Sequence, residues 1–465
     1  MAPSTTSTRT GRSWHEGGAR SPGRGRALKG TSTEGERAIR GPARGDVPIV
    51  TPPSTWARLW QPFWALPLAI VLVALALGVA LPVVDGRIAE HVPWVFQGGP
   101  DGARSVLGTI ASAMISVTGL VFSITMVVLQ LASSQFTPRV LGDFLSSRVT
   151  QITLGVFTAS FVFSLTVLRS VRGGYEGSDP FVPQLSVSLA FVLVLASVAC
   201  FLAFIHHITT TIQVSEVISA IGERTVRGVA DVYPVEADEG GDDLGRTWSP
   251  SPGTRHVDVI AKDRHGHVAR VDYRRLVEHA QEHDTVIQLL VPVGAWVVAG
   301  SVIARVWGDH DLSHDQYRVI DRAVRLGSAR TMHQEVGFGI RQLVDIAERA
   351  LSPGINDPTT AVEVIHELHR VGRHLVQRSA PSPYVVDSED VVRLVHRPQR
   401  IEDLLTTMVR EIAHYGQDSL RIPAALAAML DDLASTTHPR YRATIDELRD
   451  EVRRKHDYDA PPEES

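Results

Sequence analysis

The chain has 465 residues, too many for one ordinary domain, and reads as two structured parts with tails. Its averages, 44% hydrophobic and 21% charged, look globular, but the apolar residues crowd between Phe63 and His206. A net charge of −5, with basic residues that are almost all arginine, gives no reason to expect a nucleic-acid partner, and the single cysteine, Cys200, excludes disulfide frameworks and cysteine metal sites.

Residues 1–54 are rich in Gly, Ser, Thr, Pro and Arg with hardly any large apolar side chain, so they read as a disordered basic tail. A tail of this charge suits an anionic lipid surface. Residues 55–212 read as a transmembrane domain of four helices, with spans at about 63–84, 105–133, 151–169 and 185–206. At about 1.5 Å per residue each is long enough to cross the hydrocarbon layer or nearly so. A cleaved signal peptide is a poor reading of the first, which begins late and is too long for a signal's apolar core. The arginines ahead of the first span predict an N-terminus in the cytoplasm, and four spans then return the C-terminal part to the same side. The short loops add little, with Arg139 and Arg148 inside against Arg87, Arg104, Arg169 and Arg172 outside. Trp56, Trp60 and Trp64 are expected at the inner headgroup level. No charged residue falls within the four spans, which argues against a proton pump or an ion relay.

The second span, "SVLGTIASAMISVTGLVFSITMVVLQLASSQ", is uncharged yet full of hydroxyls. Steps of four and three from Ser105 reach Thr109, Ser112, Ser116, Gly119, Ser123, Met126, Gln130 and Ser133, which on a helix form one seam. Two roles suit it. Small residues let helices pack closely, with hydroxyls bonded to carbonyls; or, in a homo-oligomer, the seam faces a symmetry axis and lines a polar path with Gln130 near the inner mouth. Pro138 and Arg139 in "SSQFTPRVLGDFLSSR" end the span, and Val140, Leu141, Phe144 and Leu145 suit a short helix in the interface plane. His206 and His207, just past the fourth span, read as interfacial polar groups or as pH-sensitive ones.

Residues 213–252 are read as a helical linker, with Ile212, Val217, Ile221 and Val229 at helical spacing, followed by the flexible acidic "EADEGGDDLG" and "SPSPG". Such a helix would couple the spans mechanically to the C-terminal region. Residues 253–308 alternate as strands around one short helix and form a small β-rich module. There Gly294, Val297, Gly300, Ile303 and Val306 recur at steps of three and resemble the half-barrel of lipoyl and biotinyl carrier domains, although no lysine occupies a hairpin tip to carry a cofactor. Residues 309–457 read as a helical bundle interrupted by a polar gap; Leu343, Ile346, Ala347 and Ala350, then Val362, Ile365, Leu368 and His369, mark buried faces. Residues 458–465 are an acidic tail.

In "ALSPGINDPTTA", Ser352 and Pro353 stop one helix, Gly354 allows a turn, Asp357 is suited to cap the next and Pro358 to its first position. The alternative is a binding loop, in which Asn356, Asp357 and the free amides of Thr359 and Thr360 hold an anion or a partner's backbone. "SSQFTPR", "LGVFTASFVFSLTVLRSVR" and "ALSPGINDPTTA" together resemble a family of predicted bacterial membrane proteins defined as a domain of unknown function, from about Trp60 to about Arg442. The resemblance implies a bacterial inner membrane and supplies no activity or site residue.

Histidines pair at metal-ligand spacing as His279/His283, His310/His314 and His366/His369, but no HExxH pattern or third ligand is evident. Nucleophile elbow, phosphate-binding loop and dinucleotide fingerprint are all missing from the sequence. The expectation is therefore an α-helical multi-pass membrane protein with a cytoplasmic α+β region, not an enzyme, without catalytic, cofactor or metal residues. Its expected partners are the lipid bilayer and further copies of itself; its function is expected to be channel-like or facilitator-like, or else that of a membrane-tethered interaction scaffold.

Overall fold

The computed structural model describes residues 62–88, 96–135, 147–173, 180–211, 213–235, 248–309, 311–332 and 334–457. The basic tail, Trp56 and Trp60, the segment around Pro138 and Arg139 with its interfacial helix, Ile212, most of the acidic break, His310 and the acidic tail lie outside the described residues.

Four long apolar helices come first: α1 (Ala65–Ile88), α2 (Pro100–Gln135), α3 (Arg148–Leu168) and α4 (Gln184–Thr211). Each has the length and composition to cross a membrane. They form from long, predominantly apolar runs, and their outward faces keep leucine, valine and phenylalanine exposed, as a lipid solvent favours. Helix α2 starts at Pro100, earlier than the expected 105. Its 36 residues make it about 54 Å long, well beyond the hydrocarbon thickness.

Helix α3 is the centre of this group and packs against α1, α2 and α4. Its approach to α1 is close because Gly155 lies against Ile70 and Pro67, while Gly78 of α1 lies against Thr166. Phe157, Phe163 and Val167 of α3 fill the centre with Leu107 and Met114 of α2 and Phe204 of α4.

Helix α5 (Val214–Val232) is separated from the end of α4 by two residues. It is not a free linker. Val217, Ile218, Ile221 and Val229 are buried in the core of a helical bundle completed by α8 (Val336–Ala350), α9 (Pro358–Val376), α10 (Ile401–Tyr415), α11 (Arg421–Thr436) and α12 (Pro439–Asp457). Apolar residues on one stripe signal an amphipathic helix; the partner that covers the stripe comes from more than a hundred residues away in the chain.

The β-rich part contains β1 (His256–Ile260), β2 (Gly266–Val271), α6 (Tyr273–Glu282), β3 (Val286–Leu289), β4 (Trp296–Val297), β5 (Val302–Trp307), α7 (His314–Ala323) and β6 (Val324–Gly327). Two short strands, β7 (Tyr384–Val386) and β8 (Val392–Val395), arrive from between α9 and α10. The larger sheet has the order β1-β5-β3-β8-β7, antiparallel except for β3 with β8; the smaller is β4-β2-β6. The glycine-spaced repeat therefore spans two sheets, with β4 beside β2 and β5 between β1 and β3. Gly294 and Gly300 both take φ of +87° at its turns.

Two expectations change here. The helical reading from Ser313 onward breaks at Ala323, because Val324 and Leu326 flank Arg325 in strand alternation and complete a strand beside β2. The polar gap after α9 holds β7 and β8, whose Val385 and Leu394 enter the core of the β-rich part. Their few apolar residues are too short a signal to read without the receiving strand β3.

Candidate functional site

The expected seam residues Ser105, Thr109, Ser112, Ser116, Gly119, Ser123, Met126 and Gln130 lie on one exposed edge of α2. Ser133 continues the register on α2, its side chain outside the described ones. The opposite face, Ala103, Leu107, Ile110, Met114 and Val121, is buried against the rest of the chain's helices. Packing of the seam against the chain's own helices is thus excluded for the described residues. Three seam hydroxyls donate to carbonyls one turn earlier: Thr109 to Ser105 at 2.8 Å, Ser116 to Ser112 at 2.9 Å and Ser123 to Gly119 at 2.9 Å. A Cβ placed on Gly108 or Gly119 would meet nothing within 4 Å. The edge is open, small and polar.

Within the chain, the close packing expected of that seam belongs to α3. Thr150, Gln151, Thr153, Ser160 and Ser164 are buried on it. The Ser160 and Ser197 hydroxyls meet at 3.0 Å between α3 and α4, and the Thr153 hydroxyl donates to the Cys200 carbonyl at 3.3 Å. Gln151 Oε1 and Ser164 Oγ are buried without a hydrogen-bond partner. Near the other end of the group, Ser147 Oγ lies 2.6 Å from His207 Nε2, so that histidine is engaged between α3 and α4.

A charged residue does occur at a span's end. Asp85 is buried and accepts hydrogen bonds from the amides of Leu185 and Ser186 and from the Ser186 hydroxyl, each at 3.0 Å. Its carboxylate satisfies the first amides of α4, where the helix dipole favours negative charge. The sequence signal is an aspartate one residue past an apolar run, whose partner lies a hundred positions away.

The loop Ser352–Thr360 is built as a helix junction. The Ser352 hydroxyl donates to the Arg349 carbonyl, and its own carbonyl accepts from the Ile355 and Asn356 amides. Asn356, not Gly354, takes the left-handed backbone, with φ of +50°. The amides of Thr359 and Thr360 are not free: both donate to Asp357 Oδ1 at 3.1 Å, while the Thr360 hydroxyl donates to Oδ2 at 2.6 Å. The anion that the loop was expected to capture is its own aspartate. The Thr360 hydroxyl, with the two amides, holds the Asp357 carboxyl below the usual range. Asp357→Ala is expected to cost about 1 kcal/mol in thermal unfolding while Asp357→Asn costs less. The charge-dependent part of the cap is present above the unfolded aspartate pKa of about 3.9 and is lost as pH falls through the lower folded value.

Two further polar places were not legible as sites. Arg341 of α8 reaches Asp345 (2.6 Å), Glu348 (2.9 Å) and Glu411 of α10 (2.5 Å). Burial, then the hydrogen bond with Glu411, raises the Glu348 carboxyl. Between α5, the β-rich part and the bundle, a cavity of about 30 Å³ is lined by Tyr233, Tyr273, Gln334, His396 and Gln399 among others, room for a water. His396 Nε2 pairs with the Ser382 carbonyl at 3.0 Å, its Nδ1 has no partner, and burial lowers its pKa to about 4.

Of the histidine pairs, His369 Nε2 lies 2.6 Å from Asp432 Oδ2 and is engaged there, partly exposed where a buried face was expected. His279 and His283 do come together, and Glu282 supplies the third donor that spacing alone does not reveal: their ligand atoms lie within 4.8 Å of one another.

The sequence profile of the family described as "Predicted membrane protein (DUF2254)" matches residues 60–432. Uncharacterized proteins of Mycobacterium tuberculosis and Mycobacterium bovis are 32% identical to this chain over 379 residues, covering 80% of it and 71% of their own length. No solved structure matches the chain. Four membrane-length helices, the matched span and these relatives agree: the chain belongs to the DUF2254 family of predicted membrane proteins.

Proposed function

We propose that this is a homo-oligomeric protein of the bacterial inner membrane, with both termini in the cytoplasm, in which copies meet along α2 and enclose a channel-like path set by the cytoplasmic region. The observation that carries the reading is the open hydroxyl edge of α2, turned away from every described helix of its own chain. Ser112, Ser116, Gly119 and Ser123 have the small size that lets backbones of neighbouring helices approach in lipid. Gln130, exposed at the end of the span, adds a carboxamide at the level of the mouth. Regulation follows from the near-continuity of α4 with α5, whose burial in the bundle ties the fourth span to the cytoplasmic core. No catalytic step is part of this reading.

The back-bonded hydroxyls of Thr109, Ser116 and Ser123 favour a second reading, a membrane-tethered interaction scaffold that passes nothing, because a satisfied hydroxyl is tolerated against lipid or a helix without a water path. Reconstitution in liposomes separates the two. Wild-type protein is expected to release K⁺, Cl⁻ or glycerol above the leak of empty vesicles, and Ser116→Leu with Ser123→Leu to bring flux back to that leak with the oligomer intact on sizing. Wild-type vesicles as tight as empty ones would leave the scaffold.

A further inference from the structure

We infer that His279, Glu282 and His283 form a binding site for one divalent transition-metal ion of the zinc class, at the C-terminal end of α6. These three side chains bring two imidazoles and a carboxylate within 4.8 Å of one another on a single helical turn. The two rings stand 4.4 Å apart between centroids, tilted by 40°, close enough to address one ion.

The hydrogen bonding prepares the donors. His283 Nδ1 lies 2.9 Å from the backbone carbonyl of His279. A carbonyl only accepts, so this bond places the proton on Nδ1 and leaves the Nε2 lone pair of His283 for a ligand, the arrangement that an outer partner gives a metal-binding imidazole. His279 is buried, so its ring is held in one orientation. Glu282 is exposed and brings a carboxylate to the two imidazoles. The cluster sits at the C-terminal end of α6, where the helix dipole favours a cation.

Two nitrogens and one oxygen select Zn²⁺ and its neighbours over Mg²⁺ or Ca²⁺, which prefer all-oxygen shells. A fourth position stays open to water. The site lies where β7 and β8 join the β-rich part: Gln281 Nε2 donates to Ser388 Oγ at 3.4 Å, and Asp284 pairs at 2.7 Å with Arg393, which Asp387 also holds. A bound ion would fix the end of α6 against this hairpin, which enters from between two helices of the bundle.

The test uses full-length, tag-free protein in detergent, stripped with a chelator and titrated with Zn²⁺ and with Co²⁺ as a spectroscopic probe. One equivalent is expected to bind, with the visible Co²⁺ absorption of a nitrogen and oxygen ligand set. His283→Gln and Glu282→Gln, on the solvent side and harmless to the core, should each weaken binding by at least the roughly 10–100-fold that loss of even an outer partner costs. His279→Asn should weaken it further. His366→Gln, on exposed α9 surface, should leave it unchanged. Absence of stoichiometric binding, or affinity indifferent to both His283→Gln and Glu282→Gln, would overturn the site.

Discussion

Leucine at Gly339 is expected to pry α5 away from the bundle and lower the melting temperature of the extramembrane region by on the order of 6–12 °C. Gly339 lies on α8, where any Cβ would overlap Thr225 Oγ1 of α5 and come within 3.1 Å of Met332 Sδ. Thr225 cannot swing aside cheaply, because it is buried and its hydroxyl donates at 2.7 Å to the Ile221 carbonyl. Overpacking a close-packed core costs about 1–3 kcal/mol, and for a branched side chain against a buried, hydrogen-bonded threonine about 3 kcal/mol is the appropriate figure. For a region of this size each kcal/mol moves the midpoint by roughly 2–4 °C. Gly339→Ala should be milder, and Thr225→Ala combined with it should recover part of the loss, since the clash is then removed from the other side. A midpoint unchanged by Gly339→Leu would contradict the close approach of α5 and α8. Under the proposed function the same variant should also uncouple the fourth span from the bundle.

A comparable loss is expected from Arg341→Met, about 3 kcal/mol near pH 8. The guanidinium is shared by Asp345 on its own helix, Glu348 one turn further on and Glu411 on α10. Methionine fills the space of the stem but leaves the carboxylates facing one another, and stranding part of a half-buried ion network costs more than the network contributed when complete. The pH dependence follows from the sign of the shift. Burial and Glu411 already hold the Glu348 carboxyl above its unfolded value of about 4.3; without Arg341 that carboxyl is expected to rise further, so the folded state binds more protons and the penalty grows as pH rises through the folded pKa. At pH 5 the carboxyls that cannot lose their protons cheaply keep them, and the variant should approach wild type. Denaturant melts of both proteins at pH 5 and pH 8 measure this directly. A penalty equal at both values would mean that the arginine contributes only its packing.

Much of the fold is written locally. The four spans are legible because a run of about twenty apolar residues has one physical use, and no partner is needed to recognise it. Asp357 as a cap and Pro358 as the first helical residue are equally local, since both act within one turn of their own backbone. The seam on α2 is legible as a line of residues, and its composition suits close packing as well as an open edge. Which helix sits beside which is another matter. That α3 takes the centre with its own buried hydroxyls, so that the α2 edge stays open, depends on Gly155 meeting α1 and on Ser160 meeting Ser197, contacts between segments no spacing rule connects.

The same holds outside the membrane helices. His279 and His283 are visible four residues apart, but the third donor depends on how Glu282 is turned at a helix end, and the tautomer on a carbonyl that only the cap geometry presents. Asp85 looks like the first polar residue after a span until α4 brings its amides to it. Membrane helices, caps and amphipathic faces can be read from the residues in order, because they follow from solvent preference and from backbone chemistry within a turn or two. Which polar groups are consumed and which remain available emerges only once the chain has folded, because burial and hydrogen-bond partnership are properties of neighbours distant in the chain.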